Sequence, residues 1–516
     1  MPDTSVLVVG GSSVGLATAL FLARQGVRTT LVERRSGVSI HPRALGLGLR
    51  AVEVLEDAGL TAALAKVQRP TGGATGRIDV ERIVGADFST VARRTPLTMT
   101  TDDFAAVTPA TMGQVSQDRL DSVLLPAARE AGVTVRFDAD VTSLEQDPDG
   151  VRVTLQDGEV IEAAYVVGCD GANSRVRELA GITRSGPGKL ADGYVINTLF
   201  EADLSKWIPP MAFGMCGIHN EQVGGILISI DYPKRWLFHI MNSGIESMDD
   251  YPPERCAELI RAAIGAPELP VDVLSALPWR SSLWLADRFR AGRVFLAGDA
   301  AHVHPPTGGF GLNTGIPDGH NLAWKLALAL QGVAGDALLD TYETERRSLA
   351  RSSQEQVMLR ARNMDVHWDG TKSAERAALG IAEFPVAQLA YPQISPAIVD
   401  PPRTDLADRA DVAANLDGSP GTRVPHVWLD LDGERVSTVN LAGPEFALLT
   451  DGGHWPVWDL PLPLRTYDVS ASRVPGMSAG GAMLVRPDGI VAWRGQRDGL
   501  DRAVAQAICR VPAAAG

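Results

Sequence analysis

The sequence predicts an α/β protein: a Rossmann-like domain, a strand-rich layer set into it, and a separate C-terminal domain. Three stretches predict it. The N-terminus reads strand, glycine turn, helix, strand in "SVLVVGGSSVGLATALFLARQGVRTTLVERR". Residues 184–282 carry β-branched and aromatic runs such as "VGGILISIDY" and "RWLFHIM". A proline- and charge-rich segment, "YPQISPAIVDPPRTDLADRAD" (391–411), reads as a linker. The stretch beyond it, about 110 residues, is long enough to fold by itself.

In order, Ser5–Val9 is a strand, Leu16–Ala23 a helix and Thr29–Val32 a second strand, together one βαβ unit. Residues 71–99 turn irregular and polar, and helical character returns at Asp118–Ala131. Hairpin-like strands follow in "VTVRFDADVTSLEQD" and "GVRVTLQDGEVIEAAYVVGCD", with Asp-Gly turns at 149–150 and 157–158; a second βαβ unit is not evident. A short helix is expected near Pro253–Ile264, and longer amphipathic helices over Asn321–Gln331 and Asp340–Asn363.

Composition narrows the function classes. Of the 516 residues, 45% are hydrophobic and 21% charged, which is globular and soluble. A net charge of -14 argues against nucleic acid as a partner. The four cysteines, Cys169, Cys216, Cys256 and Cys509, lie far apart with no C-x-x-C, so neither a metal site nor a redox dithiol is expected and a reducing cytoplasm fits. The apolar N-terminus lacks the positive start of a signal peptide, and no apolar run reaches the about 20 residues of a membrane span.

The N-terminal unit has the layout of a dinucleotide-binding turn. Gly10, Ser12, Ser13, Val14 and Gly15 form the turn, with Glu33 and Arg34 at the end of the second strand. Glu33 is placed to take a ribose hydroxyl pair, and the helix N-terminus offers amides and positive dipole to a pyrophosphate. Ser12 stands where such turns usually carry their middle glycine. The loop "GDAAHVHPPTGGFGLNTGI" (298–316) follows an apolar strand with one carboxylate, two prolines and several glycines, a composition that lets a flat polar ligand lie against bare backbone.

Taken with "GCDGANSRVR" (168–177), "GRVFLAGDAAHVHPPTGGFGLNTGI" (292–316) and "HPRA" (41–44), the N-terminal turn resembles FAD-dependent aromatic hydroxylases of the para-hydroxybenzoate hydroxylase fold, in the branch acting on aromatic polyketides. The resemblance implies a discontinuous FAD-binding domain over 1–183, with an excursion at about 71–99 into the substrate domain, and 283–400. It also implies an inserted β-sheet substrate domain over 184–282 and a thioredoxin-like domain over 401–516. FAD would be held tightly and non-covalently, with Gly298 and Asp299 on the ribityl chain and the following loop, through Pro305, Pro306, Gly308, Gly309 and Gly311, covering the isoalloxazine. Amides near Leu312 and Asn313, at a helix start, would stabilise charge on the flavin N1–C2=O edge. Arg43 would reach cofactor phosphate, Gln117 of "SQDRLD" would lie near the flavin, and Asp170 and Gly171 near the pyrophosphate or nicotinamide path. Pro317-Asp318-Gly319 departs from the Gln-Asp-Ala common in the family; proline is tolerated in a first turn, and its position leaves the helix start open by a residue or two.

The activity implied is NAD(P)H- and O2-dependent hydroxylation of a polycyclic aromatic polyketide: NADPH or NADH reduces the flavin, O2 adds at C4a, and the hydroperoxide delivers oxygen to the ring. With no second glycine-rich turn, the nicotinamide must bind transiently. Baeyer–Villiger-type insertion and inactivation of an aromatic antibiotic remain alternatives on the same fold, and a flavin-binding protein without net redox chemistry is an alternative of another class. His219, Tyr232, His239 and Met241 are candidate substrate-pocket residues. Along "RWLFHIM" a period of two sets Arg235, Leu237 and His239 on one face and Trp236, Phe238 and Ile240 on the other, without saying which looks at the flavin. No catalytic base is named. A monomer or homodimer, with no membrane partner, is expected.

Overall fold

Strand Thr4–Val9 is a run of buried aliphatic residues, as a strand covered on both faces must be. It pairs in parallel with Thr29–Val32 on one side and Val160–Gly168 on the other, and Val294–Leu296 pairs in parallel with Val160–Gly168. This arrangement comes from a computed structural model that describes residues 3–69, 76–95, 101–190, 193–241, 247–401, 403–452, 455 and 462–510. Val9 lies level with Gly168, and Gly168 with Leu296. The register therefore releases three loops at one carboxyl edge: Gly10–Gly15, Cys169–Ser174 and Gly298–His302. Open parallel sheets bind their ligands at that edge.

Strand Thr134–Arg136 adds in parallel beside Thr29–Val32 after helix Gln117–Glu130, so a second βαβ crossover exists where the sequence suggested none. The crossover leaves the sheet at Val32 and returns only at Thr134, with an excursion to another sheet between, and no local pattern spans that distance. Strands Val141–Gln146, Val151–Leu155 and Val160–Gly168 form an antiparallel meander around the two Asp-Gly turns.

A second, six-stranded sheet runs in the order Asp272–Trp279, Val195–Glu201, Arg235–Ile240, Gly224–Asp231, Met215–His219, Arg77–Val80. Arg77–Val80 comes from the polar segment before residue 99; residues 71–75 and 96–99 of that segment lie outside the described residues. Helix Pro253–Ile264 covers one face, where Trp236, Phe238 and Ile240 are buried with Cys256, Ile260 and Ile264. The other face carries Leu199, Ile228, Ile230 and Leu237, against which Leu45 of the first domain packs. The face of Arg235, Leu237 and His239 therefore looks towards the nucleotide-binding domain. The insert leaves and re-enters through strands Arg184–Lys189 and Ser282–Ala286, which pair with each other, and the latter pairs with His302–Val303.

Helix Phe310–Leu330 begins well before Asn321, which corrects the expected helix and places Pro317 in its interior rather than in its first turn. Tight packing against helix Ser13–Arg24 compensates the lost backbone hydrogen bond. A Cβ on Gly315 would lie 2.8 Å from Val14 Cγ2, and one on Gly319 would lie 2.2 Å from Thr18 Oγ1. Glycines at this spacing let the two backbones touch, and neither position tolerates added volume without a shift.

The C-terminal sheet runs Leu464–Asp468, Phe446–Thr450, Ala482–Val485, Val491–Gly495, the first pair parallel and the others antiparallel. Helix Leu500–Ala507 buries Leu500, Ala503, Val504 and Ala507 against it. The segment expected as a linker is irregular, and only its second half is largely exposed: Ala397 and Ile398 are buried, and Gln393 and Ser395 join a buried charge network. There Glu345 accepts from Lys325 at 2.8 Å, Arg486 at 2.7 Å and Ser395 at 2.6 Å, while Asp488 accepts from Asn321 at 2.7 Å. Proline and charge in that segment mark the absence of regular structure, whereas its partners in three other elements decide its burial.

Candidate active site

The glycine turn is shaped by steric need. Gly10 has φ +110°, and a Cβ there would lie 2.4 Å from the Cys169 carbonyl oxygen; a Cβ on Gly15 would lie 1.9 Å from the Gly10 oxygen. Gly11, which sequence reasoning did not single out although it is half of a Gly-Gly pair, donates its N–H to Glu33 Oε2 at 2.7 Å, and Arg35 N–H donates to Glu33 Oε1 at 3.0 Å. Glu33 is thereby fixed beside the turn, at the position where a ribose diol would meet it. Ser12 occupies the N-cap position without capping the helix through its side chain, so the first-turn amides stay available to an anion.

The Ser12 hydroxyl instead accepts from Gln117 Nε2 at 2.6 Å, and Ser13 Oγ donates to buried Asp121. Burial pushes the Asp121 carboxyl up to about 7. Both contacts come from helix Gln117–Glu130, which explains why a distant glutamine belongs to this turn. Arg34, Arg35 and Arg43 lie within electrostatic reach of one another, with Asp121 and Asp299 nearby. They make a positive rim suited to phosphates. Asp170 is next to the turn through its backbone, 2.9 Å from the Cβ position of Gly10, but its carboxylate accepts from Ser174 Oγ at 2.5 Å and Val176 N–H at 3.0 Å. It caps a short helix rather than facing the cleft, and Gly171 supplies the φ of +85° that the bend requires.

Gly298, at φ +60°, ends the strand with a bend packed on Val14, whose Cγ1 would be 3.0 Å from an added Cβ. Asp299 then projects, exposed, into the cleft at the common carboxyl edge and makes no hydrogen bond among the described residues. Behind it, His302 donates through Nε2 to Asp318 at 2.6 Å, and Asp318 also accepts from Gly298 N–H at 3.1 Å and Arg346 Nε at 2.7 Å. The roles of His302 and Arg346 were not found from sequence; their only signal was Asp318, the one acid in that helix.

Pro305 is buried and Pro306 exposed, and Gly308 (φ +83°) and Gly309 (φ +66°) turn the chain into helix Phe310–Leu330. Gly311 opens onto Asp299, 3.8 Å from its Cβ position. Leu312 packs into the core, and Asn313 works as a strut: Gly48 N–H donates to its Oδ1 at 2.7 Å, and its Nδ2 donates to Gly309 O at 2.8 Å. No side chain caps the start of this helix, so its first-turn amides stay available.

An adenine dinucleotide carrying a flat ring fits these residues. One wall offers amides and arginines, Glu33 offers a diol acceptor, and Asp299 is a carboxylate that makes no hydrogen bond among the described residues.

The second sheet closes the cleft with its aliphatic face. His239 lies on that face with its ring 6.5 Å from Trp279. Burial pushes His239 down to about 4, with a smaller contribution from His41. Asn197 pairs directly across from His239, and His41, from "HPRA", approaches Ser275 Oγ through Nδ1 at 3.1 Å. The other candidates lie elsewhere. Tyr232 donates its hydroxyl to Ile208 O at 3.0 Å and packs on Trp236, His219 is 63% exposed at the sheet's far end near Asp79, and Met241 is half exposed just past its strand. Of the four, the structure brings only His239 to the domain interface.

Comparison with known proteins follows the same lines. A family model for the FAD binding domain matches residues 3–357, and one for the C-terminal part of aromatic-ring hydroxylases matches residues 417–513. Aklavinone 12-hydroxylase of Streptomyces purpurascens is 38% identical over 97% of this chain and 97% of its own length. Tetracenomycin A2 monooxygenase-dioxygenase of Streptomyces glaucescens is 36% identical over 96% of this chain and 94% of its own. The crystal structure of a ternary complex of aklavinone-11 hydroxylase with FAD and aklavinone superposes with a TM-score of 0.85 and 36% identity, over 99% of this chain and 100% of that one.

Proposed function

The chain belongs to the FAD-binding aromatic-ring hydroxylases, and from that premise we propose that it is an FAD-dependent monooxygenase that hydroxylates a polycyclic aromatic polyketide. The observation that carries the substrate class is the aliphatic sheet face of Leu199, Ile226, Ile228 and Leu237 laid opposite the common edge of the three loops, a flat dry wall suited to a fused ring system.

In this reading Glu33 holds the ribose, the amides after Ser12 and the guanidinium of Arg43 hold the pyrophosphate, and Asp299 accepts from the ribityl hydroxyls. Bound FAD supplies the reducible ring that takes electrons from NADPH or NADH and activates O2. The amides at the start of helix Phe310–Leu330 stabilise negative charge on that ring's edge, and Gly308 and Gly309 let the backbone come close enough to do so. The apolar wall excludes water from the reacting carbon. A reducing cytoplasmic setting is part of the proposal, supported by four free cysteines, three of them buried. No helix among the described residues is long and apolar enough to cross a membrane.

The test is direct. Purified protein should be yellow and should oxidise NAD(P)H faster when a hydroxylated anthracyclinone or angucyclinone is added. NMR of the product should show a new ring hydroxyl rather than an inserted oxygen. Colourless protein that refuses added FAD would end the proposal.

A further inference from the structure

The inner face of the substrate sheet gathers polar side chains where an aliphatic lining would pack more cheaply. His41 Nε2, Asn197 Oδ1 and His239 Nε2 are all buried, and none makes a well-aligned hydrogen bond among the described residues, although Asn197 lies close enough to His41 to raise it. An unpaired buried polar atom costs about 1–3 kcal/mol, so three in one place point to a ligand that brings hydroxyl and carbonyl groups of its own. No group of three His, Cys, Asp or Glu side chains among the described residues could hold a metal ion.

The three atoms have a common setting. Asn197 and His239 are directly opposed on neighbouring strands, and Leu277 pairs with Asn197 on the far side. His41 comes from the first domain and is backed through Nδ1 by Ser275 Oγ at 3.1 Å. His41 Nδ1 and Ser275 Oγ share that bond, and the tautomer that gives Nδ1–H to Ser275 leaves the Nε2 lone pair of His41 open to a ligand. The charged groups that reach His41 are Arg43 from its own loop, Asp118 from helix Gln117–Glu130 and Arg235 from the sheet; His239 faces only His41 among titratable groups. Burial and Arg43 and Arg235 lower His41, against Asn197 and Asp118, and burial lowers His239 to about 4, so both imidazoles are neutral near pH 7.

We propose that His41, backed by Ser275, is the general base of the hydroxylation, taking the proton of a substrate phenol on Nε2 while His239 and Asn197 hold that hydroxyl and its neighbour in place. As the monooxygenase reaction delivers oxygen to the ring carbon ortho or para to the phenol, a lone pair of the phenol oxygen moves into the ring. Its O–H bond breaks, the Nε2–H bond forms, and a neutral dienone is left. The oxygenated carbon then loses its own proton to solvent, the carbonyl oxygen takes the proton back from His41, and the ring is aromatic again. A weakly basic imidazole suffices, because the phenol proton becomes strongly acidic only as the ring is attacked.

This inference rests on the hydroxylase reading, and its test separates the two. FAD-loaded wild type, His41→Gln and Ser275→Ala are assayed with 1,4-dihydroxyanthraquinone for NAD(P)H oxidation and for hydroxylated product per NAD(P)H, across pH. In the wild type, product yield should fall on the acid side as His41 protonates. His41→Gln should keep its FAD and its NAD(P)H oxidation, lose about a hundredfold in hydroxylation rate and lose the acid limb; Ser275→Ala should lose about tenfold. An unchanged acid limb and yield in His41→Gln overturns the assignment of the base alone. Should His41→Gln fail to bind FAD, Ser275→Ala carries the test, and wild-type behaviour in it overturns the assignment. A wild type that neither reduces its FAD nor makes product with any polycyclic phenol overturns the function as well.

Discussion

His302 Nε2 and Asp318 Oδ2 lie 2.6 Å apart, both without solvent exposure, directly behind the bend that carries Asp299. Through Gly298 N–H and Arg346 the same carboxylate ties the loop to two long helices. The bend that carries Asp299 is thus held by a charge that never enters the cleft.

Burial alone would raise the Asp318 carboxyl, but Arg346 and then His302 outweigh it and hold it below the usual range. A depressed carboxylate contributes stability that is complete above its unfolded value of about 3.9 and is lost as pH falls through the folded one. Asp318→Asn, which strands Arg346, should cost about 3–5 kcal/mol at pH 7. In urea unfolding the gap to the wild type should narrow below about pH 4. A gap independent of pH would show that the carboxylate's charge is not what matters.

Asp299 is different, because it makes no hydrogen bond among the described residues and only Arg43 and His302 reach it electrostatically. Removing it should leave unfolding unchanged yet weaken FAD. Asp299→Ala should raise the FAD dissociation constant about ten- to hundredfold, by the loss of charge-assisted hydrogen bonds, with Asp299→Asn between. Fluorescence titration of the deflavinated protein measures this, and equal affinity in all three proteins would move the ribityl chain elsewhere.

What the sequence revealed and what it hid divide along a physical line. The turn at Gly10–Gly15, Glu33 and the loop after Leu296 were legible because glycine, proline and acid at fixed offsets answer to local backbone constraints. The inward face of Arg235–Ile240 was not, since a period of two is the same whichever side is covered, and only Leu45 and helix Pro253–Ile264 decide it. The return strand at Thr134, the burial of residues 391–401 and the joining of His41 to Ser275 depend on partners far away in the chain. Pro317 misled because a helix interior usually rejects proline, and here Gly315 and Gly319 seat that helix tightly on its neighbour.

That seat can be tested. Gly319→Ala places a methyl where 2.2 Å separates it from Thr18 Oγ1 and 3.0 Å from Thr18 Cα. The single variant should lose about 1–3 kcal/mol to overpacking despite alanine's better helix propensity. Adding Thr18→Ala should return most of the loss, since the hydroxyl it removes donates back to Val14 O at 2.7 Å within its own helix and accepts only a weak bond from Cys169 Sγ at 4.0 Å. Denaturant unfolding of the four proteins gives the coupling, and additive losses would mean that the helices part instead of clashing.

The two histidines named together from sequence should separate in the assay. His239 is pushed down to about 4 by burial and faces the nucleotide-binding domain, whereas His219 is 63% exposed beside Asp79. A histidine kept neutral in the fold contributes stability that is complete above its unfolded value of about 6.5 and drains away as pH falls towards the folded one. His239→Leu should therefore flatten the decline in stability between about pH 6.5 and 4, because it removes the proton that only the unfolded chain accepts. It should also raise the KM for a polycyclic phenol about tenfold by losing one hydrogen bond of about 1.4 kcal/mol, with FAD content unchanged. His219→Leu should leave KM and the pH dependence as they are, since its ring touches neither the aliphatic wall nor the cleft. Equal effects of the two substitutions would mean that the substrate lies against the far end of the sheet, beyond Met215, and that the face of Leu199 and Leu237 serves only to join the domains.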